Sequence, residues 1–271
     1  MFLSKSTWLS LNDYVLPSKI PKLPCPYCSE EFLTLEIESI SSTESPDNVG
    51  HISLNKSTAE LKKQRAEIAQ KSDFLKILMV VETISVSEKV TPGVFTSTFC
   101  CEKCGETVRG IGSAKFRTRT NQSRIVRTLE IKHEYFCPSI PLFKIPSSVP
   151  ERIVVELLQT FNYFHSDIST AGFKLRRTME KVCEELGYRG KSLHHCIDLM
   201  AQKHDEEATW LKTLKLVGNE ATHADGVNAS DLLDAFEIFP GILNIFERRQ
   251  FSMKAAEKIP LIQNKFGKKI N

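Results

Sequence analysis

Two Cys-x-x-Cys pairs, Cys25-Pro-Tyr-Cys28 and Cys101-Glu-Lys-Cys104, constrain this chain more than any other feature. Two residues between thiols let both sulfurs converge on one ion while nearby backbone amides donate hydrogen bonds to them. Two such pairs supply four thiolates, a closed tetrahedral set of structural rather than catalytic character, and the ion they suit is zinc. A fold built on that ion must carry residue 25 to residue 101. The 72 residues between Cys28 and Cys101 exceed what a minimal zinc ribbon needs, so residues 29–100 are expected to form an insertion with strands and a helix. Cys100 and Cys137 compete as ligands. Cys100 adjoins Cys101 and would point the other way in a strand, whereas Cys137, just before Pro138, stays open as a replacement. Redox chemistry is the weaker reading, since neither pair opens a helix within a βαβ unit.

The rest of the N-terminal half reads as short strands. Pro17, Pro21 and Pro24 point to extended or irregular chain leading into Cys25. Residues Ser39 to Gly50 read as an exposed polar loop, and residues 57–71 as a helix opened by a Ser57/Glu60 capping box. Strands are expected at Phe74–Val86, Val94–Phe99, Thr107–Phe116 and Ile125–Phe136, with Pro92-Gly93 marking a turn. Between Arg109 and Lys132 stand seven basic residues (Arg109, Lys115, Arg117, Arg119, Arg124, Arg127 and Lys132) against one acid, Glu130. Alternation puts Lys115, Arg117 and Arg119 on one face of a strand, where they could meet a nucleic-acid backbone, RNA or DNA. The competing reading is a solvated sheet face.

Near Pro138 the pattern changes from period two to period 3.6. Four prolines between 138 and 150 suit a connector. Ser148 is the expected cap of a helix with Pro150 in its first turn, followed by Ile153, Val154, Leu157, Leu158, Phe161 and Phe164 at helical spacing. Further helices are expected at about 169–186, ended by Gly187, then 191–203, 206–222 and 229–248. The last begins after an Asn228 cap and should kink or divide at Pro240. The fold class is therefore α+β. A zinc-ribbon-like β module with an inserted helix occupies residues 1–140, a helical bundle 141–248, and a basic tail 249–271. On the fourth of these helices Asn219 and His223 lie four apart, as do Arg176 and Glu180 on the second. Gly218 in a helix interior implies close helix contact or a local break.

Length and composition narrow the class. A chain of 271 residues with 41% hydrophobic and 25% charged residues suits two folded domains and excludes wholesale disorder. The net charge of +3 is too small to name a partner. No apolar run reaches the length of a signal-peptide core or a membrane span, so the reading is a cytoplasmic protein without a membrane partner.

Three stretches of the helical half carry a resemblance: Pro141-Leu-Phe-Lys-Ile-Pro146, Leu175-Arg-Arg-Thr-Met-Glu180 through Glu185-Leu-Gly187, and Val217-Gly-Asn-Glu-Ala-Thr-His223 before an acidic start to the last helix. With them, residues 141–248 resemble the bacterial family known as domain of unknown function 4145, a branch of the HEPN-like helical superfamily. The resemblance implies association with restriction and antiviral defence loci, a defence-system partner protein, and homodimers formed through the helical domain. Many HEPN-like proteins are metal-independent ribonucleases with an Arg, four to six residues, then His. His223 matches that histidine and Asn219 the polar residue after the arginine, but Gly218 stands where the arginine would be. The phosphate-binding cation would then have to come from Arg176 or Arg177. The expectation is a non-catalytic, nucleic-acid-associated or protein-docking component. The alternatives are an endoribonuclease using His223, Asn219 and Arg176, or a pure scaffold.

Overall fold

The computed structural model describes residues 2–44, 87–121, 124–221 and 226–267. The expected helix at 57–71 and strand at Phe74–Val86 lie outside them. The chain divides into two units. One comprises Ser6–Leu23 and Glu30–Pro138; the other comprises Met1–Lys5, Pro24–Ser29 and Ser139–Asn271. Among the described residues no helix is long and apolar enough to cross a membrane. An antiparallel sheet followed by helices makes the chain α+β.

The first unit is a four-stranded meander of β1 (Leu33–Glu44), β2 (Ser87–Cys101), β3 (Thr107–Asn121) and β4 (Arg124–Cys137), in that spatial order. Two readings of the sequence need correction. Ser39 to Glu44 is strand rather than loop: Ser41 to Glu44 pair with Thr96 to Gly93, a partnership no local pattern in the polar stretch announces. Pro92-Gly93 is no turn but lies inside β2, opposite Lys115 and Ala114. Gly93 is there for space, since a Cβ would stand 2.4 Å from the Thr43 carbonyl oxygen and 2.5 Å from the Phe116 ring. Pro92 follows the last β1–β2 pair, Glu44 with Gly93, so its missing N–H costs no described rung.

Period two sorts the sheet. Phe95, Phe99, Val108, Ala114, Phe116, Ile131 and Phe136 are buried, while Arg109, Ile111 and Arg119 are exposed. A short helix, α1 (Lys5–Leu11), buries Trp8 and Leu11. The chain after it touches both outer strands: Val15 bridges to Ile131 of β4, and Leu23 to Leu33 of β1, with a 3-10 turn at Pro17–Lys19 between. In the interior His133 is boxed by aromatics. It stacks on Phe136 at 5.0 Å, and Phe95 meets it edge-on at 4.8 Å. Its Nε2 lies 3.0 Å from Ser97 Oγ. Gly110 gives the ring room, because a Cβ there would sit 2.6 Å from His133 Cδ2. Burial pushes the imidazole pKa down to about 3, so it is neutral at ordinary pH.

The second unit is built from α2 (Glu151–Ser166), α3 (Ile168–Glu185), α4 (Leu193–Ala201), α5 (Asp205–Glu220) and α6 (Ala229–Phe266). Its core joins Phe143, Phe161, Phe164, Leu175, Met179, Leu211, Phe236 and Phe239, all at 0–1% exposure. The caps follow local chemistry. Asp167 accepts from the Thr170 N–H, Ser192 from the His195 N–H, and Asn228 and Asp231 form a full capping box. Gly187, at φ 90°, ends α3. Ser148 is not the cap expected for α2. Pro150 occupies that position without a side-chain bond, and the Val149 N–H instead closes a turn on the Pro146 carbonyl. Nor does α6 divide at Pro240; it runs on through Pro240 and Pro260, so residues 249–266, read as a basic tail, are helical.

One buried charge lies outside any sequence reading. Glu156 of α2 is 3% exposed. It meets three cations of α3: Lys181 at 2.7 Å, Lys174 at 3.1 Å and Arg177 at 3.7 Å. Burial raises its carboxyl pKa, but hydrogen bonds from Lys181 and Lys174 outweigh that and hold it below the ordinary carboxylate value.

Candidate metal centre

The ligand atoms of Cys25, Cys28, Cys101 and Cys104 all lie within 4.8 Å of one another. The two pairs share a local geometry. The Ser29 N–H donates to the Cys25 carbonyl and the Gly105 N–H to the Cys101 carbonyl, each at 2.9 Å. The donating residue is left-handed both times, with φ 59° at Ser29 and 76° at Gly105. Each pair is therefore a tight knuckle closed by the residue after its second cysteine. Gly105 takes that conformation without strain; Ser29 carries a Cβ there, at a cost of about 1 kcal/mol.

Strand pairing places the knuckles. Leu33 is the register partner of Cys101 and also bridges to Leu23, two residues before Cys25. The Glu102 N–H donates to the Phe32 carbonyl at 3.0 Å. Around the second knuckle, hydrogen bonds from Lys22 and Thr34 hold the Glu102 carboxyl below its ordinary pKa, and Lys103 pairs with Glu30 at 2.8 Å.

The donor set fits a tetrahedral ion. Sulfurs about 2.3 Å from a common centre stand roughly 3.8 Å apart, inside the observed spacing. Cys25 and Cys101 are buried, Cys28 is half-buried and Cys104 exposed. An ion held by all four sulfurs would have no coordination position left for substrate. The two rival thiols are not in the group: Cys100 Sγ donates weakly to the Gly105 carbonyl at 3.8 Å, and Cys137 is exposed at the end of β4.

The seven basic residues do not form one stripe. Arg109, Lys115, Arg117 and Arg119 share a face of β3, and Lys132 joins them opposite Ser113. Arg127, in register with Thr118, lies on the other face, paired with Glu44 and over the Phe116 ring at 5.0 Å. Arg124 opens β4 in register with Asn121. Acids and an aromatic also temper the shared face. Glu130 pairs with Arg117 at 2.8 Å, Glu134 accepts from Ser113 at 2.7 Å, and the Lys115 ammonium lies 3.7 Å over Tyr14. Glu134 comes beside Ser113 at the irregularity between Ile111 and Gly112, which simple alternation does not foresee.

In the helical unit, Arg176 and Asn219 meet: an Arg176 Nη1 donates to Asn219 Oδ1, and Glu180 lies 3.5 Å from Arg176 Nε. The contact depends on close approach of α3 and α5. A Cβ on Gly218 would stand 3.0 Å from Arg176 Cβ, and one on Gly172 only 2.4 Å from Ala221 Cβ. Gly218 is thus a helix-contact glycine. His223 lies outside the described residues.

Comparison with known proteins gives one match. Residues 159–264 match the model of the family described as domain of unknown function (DUF4145). The DUF4145 match takes in α3 to α5 and nearly all of α6, beginning later and ending later than the 141–248 of the sequence resemblance. No curated protein and no solved structure matches the chain.

Proposed function

We propose that this chain is a non-catalytic, nucleic-acid-associated component of a bacterial defence or restriction-linked system, with a structural zinc ion at the four cysteines. The carrying observation is the set of five cations, Arg109, Lys115, Arg117, Arg119 and Lys132, on one face of β3 and β4. Such a face attracts phosphate backbone without reading bases. Four thiolates favour zinc over harder cations, and a filled tetrahedron gives it a stabilising role. The defence setting and a pairing of two copies through the helical half come from the family resemblance. Filter binding of RNA and DNA over a salt series tests the reading. Affinity should fall with salt at a log–log slope of about −2 to −4 for three or four phosphate contacts. Joint replacement of Arg109, Arg119 and Lys132 by alanine should flatten that slope. Binding absent at low salt, or indifferent to salt, rejects it and leaves protein docking.

A second reading is favoured by the Arg176–Asn219 contact. It brings a cation to a residue four positions from His223, so the missing arginine of the ribonuclease pattern could be supplied from α3. Labelled RNA incubated with the protein and a chelator decides this. Cleavage that disappears in His223→Ala would make the chain an endoribonuclease.

A further inference from the structure

The last 18 residues of α6 stand out from the bundle. Burial in α6 ends at Phe246, and every described residue from Glu247 to Phe266 except Ala255 is exposed. Yet the segment is not polar. Phe251 is 73% exposed, Ile259 51%, Ile262 58% and Phe266 53%. Wound at 3.6 residues per turn, these four and Ala255 fall within an arc of about 80°. Pro260 lies across from that arc, so the Ala256 carbonyl it leaves unbonded faces water. Met253 and Leu261, 62% and 67% exposed, lie off the arc, so the stripe is the longest continuous apolar strip of the segment and not all of its apolar surface.

Its order along the helix says what it fits. Phe251, Ala255, Ile259, Ile262 and Phe266 read nearly alike in both directions about a point between Lys258 and Ile259. Turned end for end, Phe251 meets Phe266, Ala255 meets Ile262, and Lys258 meets Ile259. Aromatic faces aromatic at both ends, and small faces large between. An interface with a two-fold axis needs this reciprocity, in which each contact recurs with its members exchanged. We propose that the α6 extension pairs antiparallel with the same segment of a second copy. The free length, about 27 Å for 18 residues, keeps the two bundles at opposite ends of the paired helices. Two Phe, two Ile and one Ala from each copy bury roughly 1,000 Å² in total, the lower end for a specific interface. An antiparallel pair also sets each flank against its twin, so Lys258 comes beside Lys258 of the second copy at the axis and Lys254 beside its Lys265. The pairing is therefore opposed by charge and assisted by salt, opposite in sign to binding of nucleic acid or anionic lipid.

The proposal rests on the reading of the helical half as dimeric and adds the segment that pairs. Sedimentation equilibrium of the full chain tests it. A monomer–dimer equilibrium should tighten at least about threefold between about 50 mM and 500 mM salt. Ile262→Asp should weaken it at least about tenfold without loss of helical signal, and Lys258→Gln should tighten it and reduce its salt dependence. Orientation is read by mixing Phe251→Cys with Phe266→Cys protein, oxidising, and identifying the crosslinked peptides by mass spectrometry; the 251–266 link should dominate. A dimer unaffected by Ile262→Asp would leave the dimeric reading standing and remove this interface. Several outcomes overturn the proposal: a dominant 251–251 link, a monomer at every salt up to about 100 μM, or a monomer that binds phosphatidylserine vesicles through Phe251.

Discussion

The sheet unit buries His133 and the helical unit buries Glu156, and the two are treated in opposite ways. His133 sits among three phenylalanine rings with a single hydroxyl neighbour, so it gives up its charge. Glu156 sits under three cations of α3 and keeps its charge. The cores around them explain the contrast. Around Glu156, α3 brings three long cationic side chains to a shared point, whereas His133 meets aromatic rings and one hydroxyl. The helices close over a continuous apolar core, whereas thiols far apart in sequence converge at the two knuckles.

The comparison breaks first at the metal. Chelation, or Cys101→Ser, should cost the sheet several kcal/mol, seen as loss of β-signal in circular dichroism while helical signal persists. Metal-free protein that stays fully folded under reducing conditions would show that thiol packing alone suffices. Next comes Glu156→Gln, which leaves three cations around a neutral amide. It should destabilise the helical unit by about 3 kcal/mol in urea titrations, and replacing Lys181 with Met should cost clearly less. The pH dependences sharpen the contrast. For His133 the folded pKa lies below the unfolded one, so the unfolded state takes up the proton first. Sheet stability should then fall as pH drops from about 6.5 toward 3, by up to about 1.4 kcal/mol per unit, and His133→Gln should flatten that slope. Glu156 stabilises above its unfolded value of 4.5, and its share is lost as pH falls through its lower folded value. The smallest effects belong to the knuckles. Gly105→Ala should cost about 1 kcal/mol and Ser29→Gly should gain a similar amount, read as shifts in melting temperature.

Features written within a few residues were legible in the sequence. The Cys-x-x-Cys spacing, the Asn228 cap with Asp231, the stop at Gly187 and the apolar stripes of α2 to α6 each rest on contacts near in sequence, and the structure has them. Features set by distant partners were not legible. Nothing near Ser41 shows that Thr96 will pair with it, and nothing near Glu156 reveals that α3 will present three cations to it. Arg127 falls on the far side of the sheet through the pairing of β3 with β4, which its own neighbours do not encode. Ser29 was missed because serine carries no signal for a left-handed backbone, although its place after the second cysteine matches that of Gly105.

The order in which the four thiols leave the ribosome follows from where the knuckles stand. Cys25 and Cys28 emerge first, and Cys101 is not made until 73 residues after Cys28. At roughly 5 to 20 residues per second, the early pair waits about 4 to 15 seconds for its counterpart. During that interval it is a bare dithiol, open to oxidation or capture by the wrong ion. An ion held by all four thiols can therefore be enclosed only after Cys104 has been made.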